Sequence, residues 1–362
     1  TILPSANGRT IPCHVRGCAV ESIKQENKMS VVITGGTGFL GQHVEKACLE
    51  SGIHPRVLGR QDGDLRDPRV ARQVLAGADT VVHLAADVGG VAYLAARQGD
   101  SFYKNHRIGL NVVQAACFHK CRRLILVGSP CSYAADSRLP LVEKNLHTGF
   151  PSGETGAYGL AKLVVSDTAN LLGQAAGVEV ATLIPGNLYG PGDHFENFRS
   201  HVVAALVRRA VLCQLRGEKT FSVWGSGSAT RDFVYVEDVA RAIVRTIGVK
   251  THFTGEFFNV GSGHEISIRQ LADILADAVG GGVEPHFIED AIVGYTHRVM
   301  SIERAEQALG YRPETSLSDG LFETIAWVKR EGLDQVWLRS EKDQQTDGPF
   351  KVFGGYESNR AA

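Results

Sequence analysis

The sequence has no long apolar run and no excess of charge of one sign. No stretch approaches the roughly 18 consecutive apolar residues of a transmembrane helix, which excludes a membrane span within it. The 38 Lys and Arg residues are matched by 39 Asp and Glu residues, which leaves a formal net charge of only -1. A chain with this balance has no global field that would attract nucleic acid, so any recognition of phosphate must be local.

Cysteine is sparse and shows no pairing pattern. The 7 Cys residues are odd in number and include no Cys-x-x-Cys pair, which is typical of reduced thiols in the cytosol. Cys117, His119 and Cys121 lie close together, but a zinc site needs a fourth ligand and a second ligand pair, which the sequence does not offer. We therefore expect no disulfide framework, no metal site and a cytoplasmic location.

The two ends of the chain differ from its middle. Residues 1–28 combine Pro and Gly with no apolar core of the kind a secretory signal requires, so we expect an irregular extension. Residues 339–362 are polar and contain Gly, which predicts a poorly ordered tail. The folded part is thus expected between these two segments.

Residues 29–185 alternate short β-branched runs with stretches of helical periodicity. This alternation predicts an α/β fold, a doubly wound parallel sheet of the Rossmann type that forms a dinucleotide-binding domain. Residues 186–338 contain Gly-rich turns between short helices, and we expect them to form mainly a smaller substrate-binding lobe, with some segments returning to the sheet domain. Strands are predicted at 30–34, 55–58, 79–85, 122–129 and 178–185.

A glycine-rich loop follows the first predicted strand. Gly35, Gly38 and Gly41 allow a tight turn, close approach of the backbone to a pyrophosphate, and packing of the next helix on the strand. Arg60 stands at the end of the second strand, where an acidic residue would bind the ribose of NAD and a basic residue would bind a 2′-phosphate. We therefore expect NADP rather than NAD, with Asp64 and Leu65 near the adenine.

A tyrosine and a lysine form the candidate proton-transfer group. Tyr158 and Lys162 are four residues apart in a helical pattern, so their side chains share one face. Free tyrosine titrates at about 10, and we expect the lysine cation to lower that pKa and make Tyr158 a usable general acid. As a general acid, Tyr158 would give its proton to a carbonyl oxygen of the substrate. Ser129, at the end of the fourth strand, is expected to hold that carbonyl oxygen.

These motifs resemble those of the extended short-chain dehydrogenases/reductases, the NAD-dependent epimerase/dehydratase family, over most of residues 30–330. The resemblance implies a nicotinamide cofactor and, usually, a nucleotide-linked sugar as substrate. It also implies a homodimer formed through two long helices, here around 107–118 and 155–174.

Further segments resemble the GDP-fucose synthase branch of this family, which epimerises GDP-4-keto-6-deoxymannose at carbons 3 and 5 and then reduces its 4-keto group. By this resemblance, Cys131 and His201 are the epimerisation base and acid. Free cysteine and histidine titrate at about 8.5 and 6.5, on either side of neutrality, as a proton-exchanging pair should. The segments are HLAADVGGV at 83–91, GSPCSY at 128–133, IPGNLYGPGDHF at 184–195, SHVVAALVRR at 200–209 and VWGSGSATRDFVYVEDVA at 223–240.

The same resemblance implies two sets of binding residues. The set implied for the cofactor consists of Gly35, Thr37, Gly38, Phe39, Leu40, Gly41, Arg60, Asp64, Leu65, Leu84, Ala85, Ala86, Tyr158, Lys162, Pro185, Asn187 and Leu188. The set implied for the substrate consists of Val88, Gly89, Asn187, His201, Val202, Arg209, Trp224, Arg231 and Arg298. Its arginines would hold the nucleotide diphosphate.

The sequence departs from the branch at Pro130, where members usually carry a small residue or Ser, and this departure leaves the reaction open. Alternatives are a GDP-mannose 3,5-epimerase and a 4-ketoreductase or 4-epimerase acting on another nucleotide sugar. A non-enzymatic alternative is an NADP-binding redox sensor. The presence of Ser129, Tyr158 and Lys162 argues against a sensor, which need not keep a proton donor.

Overall fold

The computed structural model describes residues 29–195, 199–288 and 296–332, so the two predicted terminal segments, 1–28 and 339–362, lie outside the described residues. The helices are α1 (Phe39–Glu50), α2 (Pro68–Val74), α3 (Val91–Ala96), α4 (Gln98–Phe118), α5 (Gly156–Ala176), α6 (Val202–Leu215), α7 (Val236–Gly248), α8 (Ile268–Val279), α9 (Glu303–Leu309) and α10 (Leu317–Glu331). The strands are β1 (Val31–Thr34), β2 (Arg56–Leu58), β3 (Thr80–His83), β4 (Arg123–Val127), β5 (Glu179–Pro185), β6 (Asn187–Tyr189), β7 (Thr220–Trp224), β8 (Thr230–Arg231), β9 (Phe233–Tyr235), β10 (Thr254–Val260), β11 (Ile266–Ser267) and β12 (Glu284–Ile288).

The main sheet has six parallel strands in the order β10-β5-β4-β3-β1-β2. The predicted doubly wound α/β fold is thereby confirmed, and β1 to β5 form where the sequence places strands. The sixth strand, β10, comes from the second half of the chain and pairs with β5. The strand order changes direction between β1 and β3, and in such sheets the ligand crevice opens beyond the carboxyl ends of the strands at this switch point.

Helices cover both faces of the sheet. On one face α4 packs against α2 and α5, and on the other α1 packs against α7. In the central strands β1, β3, β4 and β5, most residues between these layers are apolar and buried, as is typical of a parallel sheet that is covered on both faces. No described helix has the length and apolar character that crossing a membrane would need.

A second apolar core lies beside the sheet. It joins α6, α8 and α10 to the paired strands β7 and β12. Helix α6 starts directly after His201, whose backbone is extended (φ -75°, ψ 166°) and whose carbonyl accepts a hydrogen bond from the amide of Ala205. This start of α6 faces the carboxyl ends of the sheet strands and forms one wall of a cleft.

Candidate active site

One large cleft, with a volume of about 940 Å³, lies between the sheet and the second core. The side chains of its walls come from the strand ends, the glycine loop, α5, the start of α6 and the loops around β7 and β8. Every residue that the sequence analysis assigned to catalysis, cofactor or substrate lines this cleft. Positions spread from Gly35 to Arg298 are therefore brought together in one concave surface.

The glycine loop has the geometry that a dinucleotide phosphate needs. Gly35 has a positive φ of 68°, and a Cβ there would lie 2.5 Å from the backbone nitrogen of Ala85, so only glycine fits. The first turn of α1 receives no side-chain cap from Gly38, which leaves its amide groups facing the cleft. Uncapped helix N-termini bind phosphate oxygens through such amides. The loop thus fits the pyrophosphate of a nicotinamide dinucleotide.

Arg60 begins a 3₁₀ turn that directly follows β2 and lines the cleft. The two nearby carboxylates, those of Asp62 and Asp64, form hydrogen bonds with groups of the same segment. Asp62 accepts a hydrogen bond of 2.8 Å from the amide of Gly59, and Asp64 pairs with Arg66 at 2.7 Å, which lowers the pKa of Asp64. Arg60 therefore stands just after β2, where the charge of the side chain distinguishes NADP from NAD, and a guanidinium suits the 2′-phosphate of NADP.

Tyr158 and Lys162 lie on the buried face of α5, with exposed fractions of 8% each. The ammonium group of Lys162 donates a 2.8 Å hydrogen bond to the carbonyl of Val127 at the end of β4, and lies 6.0 Å from the centre of the Tyr158 ring. Burial lowers the pKa of Lys162 to about 8. Lys162 is thus anchored to the sheet on the tyrosine side of the cleft.

The pKa of Tyr158 is raised in the structure, against the expectation that Lys162 lowers it. Burial of the ring raises the pKa of Tyr158 well above its usual value, and negative charge on Cys131 and Asp87 raises it further. The reason is that burial removes the ring from water, which disfavours the charged phenolate. Tyr158 is therefore firmly protonated here, which suits a proton donor.

The serine loop after β4 is held against α5. Ser129 is extended (φ -153°, ψ 145°), as a residue before proline should be, and its hydroxyl accepts a 3.1 Å hydrogen bond from the amide of Cys131. A Cβ on Gly159 would lie 1.9 Å from the carbonyl oxygen of Cys131, so glycine is needed directly after Tyr158. Pro130 opens a 3₁₀ turn that presents the half-buried Cys131 to the cleft.

His201 enters the cleft from the other side. Its side chain is 34% exposed, and its Nδ1 lies 3.7 Å from a carboxylate oxygen of Asp193, whose side chain is fully buried. Asp193 follows the turn after β6, and its carboxylate also accepts a 2.7 Å hydrogen bond from the amide of His194. Asp193 was not predicted as a site residue, because the glycine-rich turn at 190–193 does not by itself show that the chain brings Asp193 to His201.

Three arginines give the far end of the cleft its positive charge. Arg209 stacks on Trp224, with 4.6 Å between guanidinium carbon and ring centre, and donates a 3.0 Å hydrogen bond to the carbonyl of Ser222. Burial, followed by the charge of Arg298, lowers the pKa of Arg231. Clustered and partly desolvated guanidinium groups of this kind suit a diphosphate, which can be gripped in a bidentate manner.

A buried charged cluster in the lining of the cleft was not predicted from the sequence. Asp87 accepts hydrogen bonds from the hydroxyl of Tyr93 (2.6 Å) and from the guanidinium of Arg199 (2.9 Å), and Lys104 lies 3.4 Å from its second oxygen. These four residues are separated in the sequence and belong to no spacing pattern. Only the fold could reveal the cluster.

Comparison with known proteins identifies the family. The model of the NAD dependent epimerase/dehydratase family matches residues 31–261. The chain is 32% identical to the GDP-L-fucose synthase of Sinorhizobium fredii over 291 residues, which is 80% of this chain and 92% of that protein. It is 26% identical to GDP-mannose 3,5-epimerase 1 of Oryza sativa over 348 residues, which is 90% of each chain.

A solved structure supports the same family assignment. The crystal structure of a GDP-L-fucose synthetase from Naegleria fowleri bound to NADP has a TM-score of 0.75 and 27% identity, and the match covers 84% of this chain and 94% of that one. The chain therefore belongs to the NAD dependent epimerase/dehydratase family and is an NAD(P)-dependent enzyme of the oxidoreductase and epimerase type.

Proposed function

We propose that this enzyme is an NADP-dependent GDP-L-fucose synthase, which epimerises GDP-4-keto-6-deoxymannose at carbons 3 and 5 and then reduces the 4-keto group. The observation that carries this proposal is the meeting of two groups in one cleft. Ser129, Tyr158 and Lys162 line it together with Cys131 and His201. The first three suit ketone reduction, and the last two suit proton exchange beside a ketone.

The proposed epimerisation uses groups from opposite walls. Cys131 follows β4 on the sheet side, and His201 begins α6 on the other side. Inverting a carbon next to a ketone requires a base that removes its proton and an acid that returns a proton to the opposite face. The thiolate of Cys131 is proposed as the base and the imidazolium of His201 as the acid. Ser129 and Tyr158 would hold the enolate oxygen.

In the proposed reduction, Tyr158 gives its phenolic proton to the 4-keto oxygen. A bound nicotinamide dinucleotide supplies the hydride. Tyr158 is suited to its part because burial keeps it protonated in the structure. Lys162, anchored to the carbonyl of Val127, would place a positive charge close to the phenolate that remains after proton transfer.

The proposed choice of cofactor and substrate depends on arginines at the two ends of the cleft. Arg60 would bind the 2′-phosphate of NADP, and the fold relative from Naegleria fowleri has NADP bound. Arg209, Arg231 and Arg298 would bind the diphosphate of the nucleotide sugar. Trp224, which is 46% exposed and stacks on Arg209, would close the nucleotide end.

We also propose a homodimer in the cytoplasm. The helices α4 and α5 pack side by side on one face of the sheet and expose apolar side chains, with Leu171 at 70% and Phe118 at 61% exposure. Covering such side chains with a second copy of the pair would remove apolar surface from water. Sedimentation analysis of the purified protein tests this, and a monomer at micromolar concentration would contradict it.

The function is tested by incubating the protein with GDP-4-keto-6-deoxymannose and NADPH in deuterated water. We expect loss of NADPH absorbance in a one-to-one ratio with sugar, and a product with inverted carbons 3 and 5 that carries deuterium there. Inversion without NADPH loss would favour a 3,5-epimerase, which the similarity to the Oryza sativa enzyme also supports. Reduction without inversion would favour a simple 4-ketoreductase.

A further inference from the structure

The buried cluster around Asp87 links the two walls of the cleft. Asp87 belongs to the loop after β3, and its backbone is fixed by the side chain of Asn105, which accepts from its amide (2.9 Å) and donates to its carbonyl (2.8 Å). Its carboxylate accepts from Arg199, which lies two residues before His201. The guanidinium of Arg199 also stacks on Tyr93 at 4.6 Å. The sheet side of the cleft therefore holds the segment that leads into α6.

The backbones of the same two loops are also joined. The amide of Gly90 donates a 2.9 Å hydrogen bond to the carbonyl of Arg199. A Cβ on Gly90 would lie 2.3 Å from the carbonyl oxygen of Ser200, so the loops touch without room for a side chain. This contact and the ion pair both join the segment just before His201 to the loop after β3. Together they set where α6 begins.

The cluster also reaches the catalytic wall of the sheet domain. Tyr93 shares a buried apolar group with Tyr158, and Cys131 packs against that group. The ring of Tyr93 thus carries Arg199 on its face and contributes to the packing around the proton donor. One buried unit connects the positions of Cys131, Tyr158 and His201.

We infer that Asp87 and Arg199 are positioning residues for epimerisation: their ion pair holds His201 across the cleft from Cys131. This inference rests on the proposed function. It assigns neither residue a contact with the substrate. Proton transfer between a side chain and a carbon depends steeply on distance, and a misplacement of about 1 Å reduces such a rate by about 100-fold.

The test uses Arg199→Gln in the full chain with NADPH. Lys104 stays beside Asp87, so the carboxylate keeps a cationic neighbour in this variant. We expect solvent deuterium to enter the sugar about 10-fold to 100-fold more slowly, with the KM for the sugar little changed. Backbone amide hydrogen exchange should become faster in peptides that cover 88–91 and 200–205. Asp87→Asn, which keeps an acceptor for Tyr93, should show the same two changes.

A buried ion pair elsewhere gives a matched control. Arg123 pairs with Glu179 at 2.6 Å and stacks on Phe253 at 4.6 Å, but it lies outside the cleft lining. Arg123→Gln should lower stability while leaving the rate of deuterium entry unchanged. An equal loss of rate in Arg123→Gln would reduce the effect of Arg199 to general destabilisation and overturn the inference.

A double variant decides whether Arg199 acts through His201. If it does, Arg199→Gln adds little further loss to His201→Gln, because the group that it positions is already missing. If the two losses in the rate of deuterium entry multiply in the double variant, the inference is contradicted. It is also contradicted if Arg199→Gln leaves this rate unchanged while Cys131→Ser and His201→Gln each lose it. Unchanged exchange in those two variants would instead refute the proposed function itself.

Discussion

The buried carboxylate of Asp193 lies 3.7 Å from Nδ1 of His201, at the N-terminal end of α6. In the proposed epimerisation His201 would act as the acid, and the carboxylate of Asp193 lies where it would balance the positive charge of that acid. The second oxygen of Asp193 is buried and has no hydrogen-bond partner among the residues that the structure describes.

We predict that Asp193→Asn lowers the rate of deuterium entry into the sugar by about 10-fold, since the imidazolium loses its charged neighbour. Asp167→Asn is the control, because Asp167 faces His147 at 3.0 Å on the exposed surface. A similar loss in both variants would contradict a specific role.

Tyr158→Phe should abolish NADPH oxidation, with a loss of at least about 100-fold, because no other group replaces the phenolic proton donor. Deuterium entry into the sugar should stay detectable, since Cys131 and His201 are untouched. Tyr311→Phe serves as a control: its hydroxyl is buried and donates to the carbonyl of Gly261, away from the cleft. Loss of both activities in Tyr158→Phe would refute this division of labour.

Cys131→Ser should suppress deuterium entry by about 100-fold, because a hydroxyl is a far weaker base than a thiolate at neutral pH. Binding of NADPH, followed by fluorescence titration, should change little. The control is Cys117→Ser, which changes a partly buried cysteine on α4. This variant should leave deuterium entry and NADPH binding unchanged. Normal exchange in Cys131→Ser would leave this cysteine with a packing role only.

Arg60→Gln should raise the KM for NADPH by about 10-fold and leave the KM for NADH nearly unchanged, because only NADPH carries the 2′-phosphate. Steady-state kinetics with the two cofactors measures the ratio. The nearby Arg56 donates to the carbonyl of Ala76 outside the cleft, so Arg56→Gln is the control. An equal or lower KM for NADH in the unaltered protein would itself contradict the preference for NADP.

His83 makes the cofactor-free protein sensitive to acid. It is buried at the end of β3, with its Nδ1 2.7 Å from the hydroxyl of Thr34, and burial, together with the charge of Lys162, lowers its pKa to about 3. Between pH 6.5 and about 3 the unfolded chain therefore binds the proton and the folded chain does not. The free energy of unfolding should fall as the pH drops through this window, by up to about 1.4 kcal/mol per pH unit.

Urea unfolding at pH 7.5 and pH 5 measures this effect. His83→Gln should reduce the difference between the two values, and His54→Gln, at an exposed position, should not. The same slope in His83→Gln as in the unaltered protein would show that other groups cause the acid sensitivity.

The sequence by itself determined those features whose physical cause is local. Glycines spaced after a strand require the turn that Gly35 makes, and four-residue spacing on a helix places Tyr158 and Lys162 on one face. The alternation of strands and helices was sufficient for the parallel sheet, because each β-branched run needs two covering layers. The serine loop was found because it directly follows β4.

Tertiary structure alone decided the rest. Asp87 and Arg199 are 112 positions apart, and Asp193 meets His201 only because of the turn after β6, so no local pattern predicts either pair. Strand β10 pairs with β5, although the chain between them runs through elements of the second core. The sign of the Tyr158 pKa shift also depended on the fold, since spacing shows that Lys162 is near but not that both groups are buried. Burial is a property of the packed chain, and it raises the pKa that the helical spacing alone suggested would fall.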